Sequence, residues 1–169
     1  MNAGAYGYSI GELVQEVRTM DYKGNLRVLH CRELEFSYRW SNLQQQKMII
    51  LGGVLQLLPG DREELQSLVQ KNRRERRSRQ PLLPSAGSIF RNPPGGLAAG
   101  KLIDELEVKG LAVGGAMVSP EHANFIVNAG NATASDVLSL IELIQKKVRS
   151  EYKIELELEI KVVGENSRG

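Results

Sequence analysis

The chain has 169 residues, enough for one good-sized hydrophobic core or for two small lobes. Hydrophobic residues make up 41% and charged residues 25% of it, as in ordinary soluble globular proteins, and the net charge of +2 indicates no particular partner. The single cysteine, Cys31, excludes an internal disulfide. The two histidines, His30 and His122, lie far apart in sequence, so we expect no metal site.

The first part of the chain predicts strands. Residues 13–20 alternate as a strand does, turn residues follow from Asp21 to Asn25, and residues 26–29 return as the second strand of a hairpin. A short helical piece is predicted at residues 31–38. The longest apolar run, residues 48–58, is well short of the ~20 residues that cross a bilayer, so it predicts a buried strand and no membrane association.

A helix is predicted at residues 62–80, with Asp61 as its cap and two glutamates in its first turn. Its second half carries a run of cations, namely Lys71, Arg73, Arg74, Arg76, Arg77 and Arg79. Such a run is most often a solvated helix face, and the alternatives are a diphosphate-binding edge and a nucleic-acid-binding surface. Because the run has no interleaved aromatic residues and no recognised binding motif, we expect no nucleic-acid partner.

Residues 81–100 hold four of the six prolines and four glycines, which predicts a long ordered loop and a boundary between two lobes at residue 80. Beyond it, residues 97–106 look helical, and residues 116–118 and 124–128 look like short strands.

The last part of the chain predicts one helix and one strand. Thr133 and Asp136 form a capping-box variant, and apolar residues recur behind them at helical spacing up to Val148. Residues 154–162 then alternate between apolar and charged side chains, which predicts a half-buried strand. Taken together, these elements predict an α+β fold.

Several short strings, spread in order over nearly the whole chain, carry a resemblance to a known family. They are NAGAYG at residues 2–7, Tyr38-Arg39 with Ser41, SAGSIF at 85–90 with Asn92-Pro93, AGKLI at 99–103, the segment 114–119, HANFIVN at 122–128, and LELEI at 156–160 leading to Gly164-Glu165. With these strings the chain resembles the UDP-N-acetylenolpyruvoylglucosamine reductases, which make UDP-N-acetylmuramate for peptidoglycan.

The resemblance implies an enzyme that uses FAD and NADPH. In such a reaction, hydride passes from NADPH to FAD and then to the enolpyruvyl double bond of UDP-N-acetylglucosamine enolpyruvate. The family implies a cytoplasmic location, with the plastid stroma as the alternative. The competing hypothesis is a non-catalytic module that recognises a UDP-sugar without bound flavin.

The resemblance also implies the organisation of the chain. Residues 1–80 are expected to be the second half of a flavin-binding domain of the vanillyl-alcohol-oxidase type, and residues 81–169 a substrate-binding α+β lobe. In the family, the NAGAYG string follows a flavin-binding segment with a glycine-rich loop. We therefore expect this chain to be a fragment, a truncated gene model or a natural short form, and the absent flavin-binding segment to be its partner.

The resemblance assigns a role to three residues. Arg39 would bind the substrate carboxylate and stabilise the developing negative charge, because a guanidinium pairs with a carboxylate through two hydrogen bonds. Ser88 would donate the proton. Glu159 would orient the substrate, with Glu157 as the alternative carboxylate on the same face of the predicted strand.

The matching strings also place the binding residues. The residues expected to contact the flavin are Asn2, Gly4, Ala5, Tyr6 and Gly7. Small residues in this string let the backbone approach a cofactor closely. The residues expected to contact the substrate are Tyr38, Arg79, Asn92 and His122.

Overall fold

The computed structural model describes residues 2–164, and its helices and strands form separate stretches, which confirms the predicted α+β class. Contacts within the chain divide it into two units on either side of the Arg62–Glu63 bond. The functional boundary expected at residue 80 stays a prediction. No helix among residues 2–164 is both long enough and apolar enough to span a bilayer.

The first unit consists of short hairpins and one larger antiparallel sheet. Its strands are β1 (Gly4–Ala5), β2 (Tyr8–Ser9), β3 (Val14–Asp21), β4 (Leu26–His30), β5 (Phe36–Ser37), β6 (Trp40–Ser41) and β7 (Met48–Leu55). Strands β1 and β2 pair with each other, as do β5 and β6, and the larger sheet has the order β4-β3-β7. Short 3₁₀ helices span Ile10–Glu12, Cys31–Glu33 and Asn42–Gln44.

The predicted hairpin is confirmed as β3 and β4, and its turn is held by Asp21. The Asp21 carboxylate accepts hydrogen bonds from the backbone N–H groups of Lys23 (2.8 Å) and Asn25 (2.9 Å) and from the Asn25 side chain (2.9 Å). These hydrogen bonds lower the pKa of Asp21, and the bond from the Asn25 side chain has the largest effect. Local turn chemistry therefore fixes the register of this hairpin.

The strand predicted from the longest apolar run is present as β7, but the expectation that it is buried was wrong. Ile49, Ile50 and Leu51 are 40%, 58% and 52% exposed. The physical reason is that no part of the chain among residues 2–164 covers these side chains, and β7 is also an edge strand that pairs only with β3. The buried cluster of this unit lies instead around β3 and β4, at Val14, Val17, Leu29 and Leu34.

The second unit packs helices on one antiparallel sheet. Its elements are α1 (Arg62–Arg79), β8 (Ser85–Ser88), α2 (Ala99–Asp104), β9 (Ala112–Val113), β10 (Ala116–Val118), β11 (Phe125–Asn128) and α3 (Ala134–Tyr152). The sheet order is β8-β11-β10-β9. The core combines Leu102 and Ile103 of α2, Val118 of β10 and Leu140 and Ile144 of α3, each 3% exposed or less. Each such buried side chain contributes roughly 1.5–3 kcal/mol.

Helix α3 begins at the predicted capping box. The Thr133 hydroxyl accepts a hydrogen bond from the Asp136 backbone N–H (3.1 Å), and the Asp136 carboxylate accepts one from the Thr133 N–H (2.9 Å). Asp136 also accepts from Gly115 N–H at 3.3 Å. The backbone N–H groups of Thr133 and then Gly115 lower the pKa of Asp136.

Two other predictions for this unit need correction. Residues 81–100 are not all loop, because Ser85–Ser88 forms β8 by pairing with β11. The strand predicted at residues 154–162 is reduced to one bridge, between Leu158 and Phe90, and the predicted alternation of burial holds only as far as Leu158, since Val162 is 56% exposed. A strand forms only where a neighbouring segment pairs with it over several residues, and the segment that pairs with Leu158 is short.

The glycine pair Gly114-Gly115 allows close packing between β10 and the segment before α3. A Cβ at Gly115 would lie 2.5 Å from the Ala132 backbone nitrogen, whereas a Cβ at Gly130 would meet nothing within 4 Å. The atoms that crowd Gly115 belong to the backbone, so they cannot move aside easily.

We predict that Gly115→Ala destabilises the protein by about 1–3 kcal/mol because the added methyl forces the backbone apart. Gly130→Ala is the matched control and should change the free energy of unfolding by less than about 1 kcal/mol. Urea denaturation followed by circular dichroism measures both changes. Equal stabilities for the two variants would contradict the packing described.

Candidate functional site

The second unit contains a buried polar clamp centred on Asn124, which is 5% exposed. Its side-chain oxygen accepts a hydrogen bond from Phe90 N–H (2.9 Å), and its side-chain nitrogen donates to Phe90 C=O (2.8 Å). Its own backbone C=O accepts from Ile89 N–H at 2.9 Å. Since buried polar groups that are fully paired fix a single conformation, this clamp sets the path of the chain from Ser88 to Asn92.

Beside the clamp lies a cavity of about 450 Å³. Three residues predicted to act on the substrate line it together, namely Ser88, Asn92 and His122. The remaining lining residues come from α2 and from the loops around it and before β11: Ala98, Gly100, Lys101, Asp104, Lys109, Glu121, Ala123 and Asn124. A cavity of this size lies within the range of small-ligand sites.

Asn92 lies at the entrance to α2. Its side-chain oxygen accepts a hydrogen bond from Ala99 N–H at 3.1 Å, which pairs a donor that the helix itself leaves open. Asn92 thereby links the segment held by Asn124 to the helix on the other side of the cavity.

The contacts of His122 favour the neutral form of its ring. Its Nδ1 accepts a hydrogen bond from the Asn124 backbone N–H (3.1 Å), so in the neutral form the proton is assigned to Nε2. Burial lowers the pKa of His122 below its ordinary 6.5. The ring packs edge-on against Phe125, with centroids 4.8 Å apart, and a Cβ at Gly100 would lie 3.0 Å from its Cε1. His122 can thus offer a neutral donor to a ligand.

Charges of both signs line the cavity. Lys109 Nζ lies 2.7 Å from Asp104 Oδ1, and the Ser119 hydroxyl donates to Glu121 at 2.6 Å. That hydrogen bond is the main reason why the pKa of Glu121 is lowered. Lys101, which is 71% exposed, forms a longer ion pair of 3.9 Å with Glu105. Among the described residues that line this cavity, Lys101 and Lys109 are the two lysines, and Lys101 has the weaker ion pair.

Glu159 directly follows the Leu158–Phe90 bridge and lies opposite Ile89, the residue after Ser88. Its backbone N–H donates to Ile89 C=O at 2.8 Å, and its side chain is 17% exposed. The Glu157 side chain, by contrast, is 78% exposed. Arg79, the last residue of α1, pairs with Glu75 at 3.3 Å and is 73% exposed. Neither Glu159 nor Arg79 is among the cavity-lining residues of the described chain.

Arg39 lies in the first unit, at the tip of the β5–β6 hairpin. Ser37 pairs with Trp40, so Tyr38 and Arg39 are the two turn residues, and Arg39 has φ +55°. This left-handed conformation is rare for a residue with a side chain and costs about 1 kcal/mol. The Arg39 guanidinium carbon lies 5.3 Å from the centroid of the Tyr38 ring, a cation–π contact.

The residues expected to contact the flavin form a second hairpin of the same unit. Gly4 pairs with Ser9 and Ala5 with Tyr8, which leaves Tyr6 and Gly7 in the turn with φ of +54° and +85°. Two positive values are what a type I′ turn requires. Asn2 has a structural contact, because its side-chain oxygen accepts from Gly11 N–H at 2.9 Å.

Two residues of interest were not singled out by sequence. Asn124 lies inside the HANFIVN string, and Arg91 separates the SAGSIF string from Asn92. No spacing rule marks either residue, since their contacts connect segments that are distant in sequence. Among residues 2–164, no three His, Cys, Asp or Glu side chains are grouped to hold a metal ion.

We predict that Arg39→Gly is more stable than Arg39→Ala by about 1 kcal/mol, because glycine adopts a positive φ without the strain of a Cβ. Trp40, the single tryptophan, follows the turn directly, so urea unfolding detected by its fluorescence reports on this unit. Identical unfolding midpoints for the two variants would remove the evidence for strain at Arg39.

We predict that His122 makes stability depend on pH just below neutrality. Because its folded pKa lies below 6.5, the unfolded chain takes up the proton first as the pH falls, and the folded state loses stability. Thermal melting of the wild type and His122→Gln between about pH 7.5 and 5.5 tests this. The wild type should lose more stability over this range than the variant, and parallel losses would contradict the prediction.

A family model of the C-terminal domain of UDP-N-acetylenolpyruvoylglucosamine reductase matches residues 78–163. The reductase of Caldanaerobacter subterraneus subsp. tengcongensis is 46% identical over 166 residues, and the match covers 98% of this chain and 55% of that protein. The reductase of Heliobacterium modesticaldum is 46% identical over 167 residues, with 98% and 53% covered.

A solved structure agrees with these matches. The crystal structure of the reductase from Thermus caldophilus aligns with a TM-score of 0.80 and 40% identity, covering 95% of this chain and 57% of that one. The chain therefore spans about half the length of the curated relatives that it matches. Since the family model matches half of the chain and the relatives match nearly all of it, the chain belongs to the UDP-N-acetylenolpyruvoylglucosamine reductase family.

Proposed function

We propose that this chain supplies the substrate-binding part of a cytoplasmic, FAD-dependent reductase that uses NADPH to reduce UDP-N-acetylglucosamine enolpyruvate to UDP-N-acetylmuramate. The observation that carries the proposal is the cavity in the second unit. Ser88, Asn92 and His122, which the family resemblance singled out separately, all line it. The names of the relatives describe reductases of such a substrate.

In this proposal the cavity binds the substrate through neutral donors and cations. His122 Nε2–H donates to a substrate oxygen, and Lys101 and Lys109 face the diphosphate. The lowered pKa of His122 suits this role, because a neutral ring keeps its donor without altering the charge of the site. Tyr38 and Arg79 are proposed as further substrate contacts.

Hydride addition to the terminal vinyl carbon leaves negative charge shared with the substrate carboxylate. We assign its stabilisation to Arg39, whose guanidinium can pair with both carboxylate oxygens. The left-handed backbone at Arg39 supports this assignment, because strained residues persist where a side chain must be held for function.

Ser88 is assigned the proton that completes the reduction at the neighbouring carbon. A serine hydroxyl is a poor acid, so the proton can leave only if nearby cations stabilise the alkoxide. The position of Ser88 is well defined, because it pairs with Phe125 at the end of β8 and precedes the residues held by Asn124. Glu159 is assigned the orientation of the substrate, and its low exposure relative to Glu157 supports that choice.

The first unit fits one part of an FAD site. Gly4, Ala5, Tyr6 and Gly7 are exposed, and a Cβ at Gly7 would meet nothing within 4 Å, so a cofactor can approach this turn closely. When bound, FAD supplies the hydride, which it receives from NADPH. Asn2 contributes by holding Gly11 behind the hairpin.

We propose that the partner of the first unit is the flavin-binding portion of the relatives that this chain does not span. The exposed apolar side chains of β7 support this, because Ile50 and Leu51 are more than half exposed on an edge strand. Soluble proteins normally cover or charge such an edge.

The second candidate is a non-catalytic module that binds a UDP-sugar without flavin. The cavity is compatible with this candidate as well, since all of the cavity-lining residues belong to the second unit. Flavin absorbance separates the two candidates. A chain combined with the flavin-binding portion should be yellow and bleach with NADPH, whereas a module stays colourless and still binds the sugar nucleotide.

We predict that Ser88→Ala slows substrate-driven flavin reoxidation by roughly 10²–10⁴-fold in a reductase completed with the flavin-binding portion of a curated relative. Flavin reduction by NADPH should be unchanged, because Ser88 acts only on the substrate. Stopped-flow absorbance resolves the two half-reactions.

Ser85→Ala is the matched control for this experiment. Ser85 lies on the same strand, and its hydroxyl accepts a hydrogen bond from Gly87 N–H at 3.4 Å. The Ser85→Ala variant should carry out both half-reactions at close to wild-type rates. Unimpaired reoxidation in Ser88→Ala would exclude Ser88 as the proton donor.

A further inference from the structure

Arg91 lies between the two carboxylates that sequence left as alternatives. Its backbone N–H donates to Glu157 C=O at 2.9 Å, and Glu159 N–H donates to Ile89 C=O at 2.8 Å. Together with the bridge between Phe90 and Leu158, these bonds form a short antiparallel pairing. On such a pairing Arg91 faces Glu157 directly and Glu159 diagonally.

The guanidinium reaches both carboxylates. Arg91 Nη1 lies 3.6 Å from Glu157 Oε2, and Arg91 Nε lies 3.7 Å from Glu159 Oε2. The two pairs differ in exposure, because the Glu157 side chain is 78% exposed and the Glu159 side chain 17%. Water screens the pair with Glu157 strongly, so the pair with Glu159 is the stronger of the two.

We propose that Arg91 is a positioning residue that holds Glu159 in the orientation it needs toward the substrate. This inference rests on the function proposed above. The backbone at Arg91 is fixed, because the neighbouring residue Phe90 is bonded through both backbone groups to the buried Asn124 side chain. The orientation of Glu159 is thereby tied to the same clamp that sets the positions of Ser88 and Asn92.

Arg91 also changes the charge that the substrate meets. Glu157 and Glu159 would repel a substrate that carries a diphosphate and a carboxylate, and Arg91 offsets one of the two charges. A general charge effect of this kind would act through both glutamates alike. A positioning role acts through Glu159 alone, and that difference makes the two explanations separable.

The test is the affinity of this chain for UDP-N-acetylglucosamine enolpyruvate, measured by isothermal titration calorimetry on Arg91→Gln, Glu159→Gln, Glu157→Gln and the two double variants that contain Arg91→Gln. We expect Arg91→Gln to weaken binding about tenfold. The same loss should persist in the Glu157→Gln background and vanish in the Glu159→Gln background. Arg91→Lys should restore part of the affinity, because it keeps the charge without the planar geometry.

Equal affinities for the wild type and Arg91→Gln would overturn the inference and leave the proposed function intact. A tenfold loss that persists in the Glu159→Gln background would overturn it as well, because the effect would then be one of general charge. A wild-type chain that does not bind the substrate would contradict the proposed function itself, and the inference with it. Circular dichroism of each variant shows whether the fold is retained.

Discussion

The hydrogen bonds between the buried Asn124 amide and the backbone of Phe90 are the constraint on which the second unit depends. Phe90 N–H and C=O are both paired with this one side chain, and neither could be left unpaired in the core without a cost of about 1–3 kcal/mol. The clamp fixes Ser88 on one side of Phe90 and Arg91 and Asn92 on the other. Since the Asn124 backbone N–H also pairs with His122, one residue aligns both walls of the cavity.

The first unit holds its candidate residues in a different way. Arg39 and Tyr6 both lie in two-residue hairpin turns with positive φ, at +55° and +54°. The flanking strands pair directly on both sides of each turn, so each side chain projects from a tight turn and not from a flexible loop. In the first unit, hairpin geometry fixes the positions of the candidate residues, whereas in the second unit buried hydrogen bonds fix them.

Local sequence signals predicted the elements that depend on local contacts. The β3–β4 hairpin follows from the Asp21 turn, and α3 follows from the Thr133–Asp136 capping box and its apolar repeat. Elements that depend on a distant partner were not predictable in this way. Strand β8 lies in a segment rich in proline and glycine and is a strand only because β11 pairs with it, and β7 is exposed because nothing in the described chain covers it.

In the candidate site, too, local sequence signals did not predict the contacts between distant segments. The family resemblance assigned Ser88, Asn92 and His122 to the same substrate, but it did not identify the residue that aligns them. That residue is Asn124, whose bonds connect residues 34 apart in sequence. No signal in the sequence marks Arg91, because its partners Glu157 and Glu159 lie more than 60 residues further along the chain. They contact Arg91 through one short antiparallel pairing.

A crystal structure of the chain with bound UDP-N-acetylglucosamine enolpyruvate tests the central claim most directly. The account predicts ligand density in the cavity lined by Ser88, Asn92 and His122, with the Asn124 amide still bonded to Phe90. Ligand density at another surface, or an Asn124 side chain turned away from Phe90 in the complex, would contradict it.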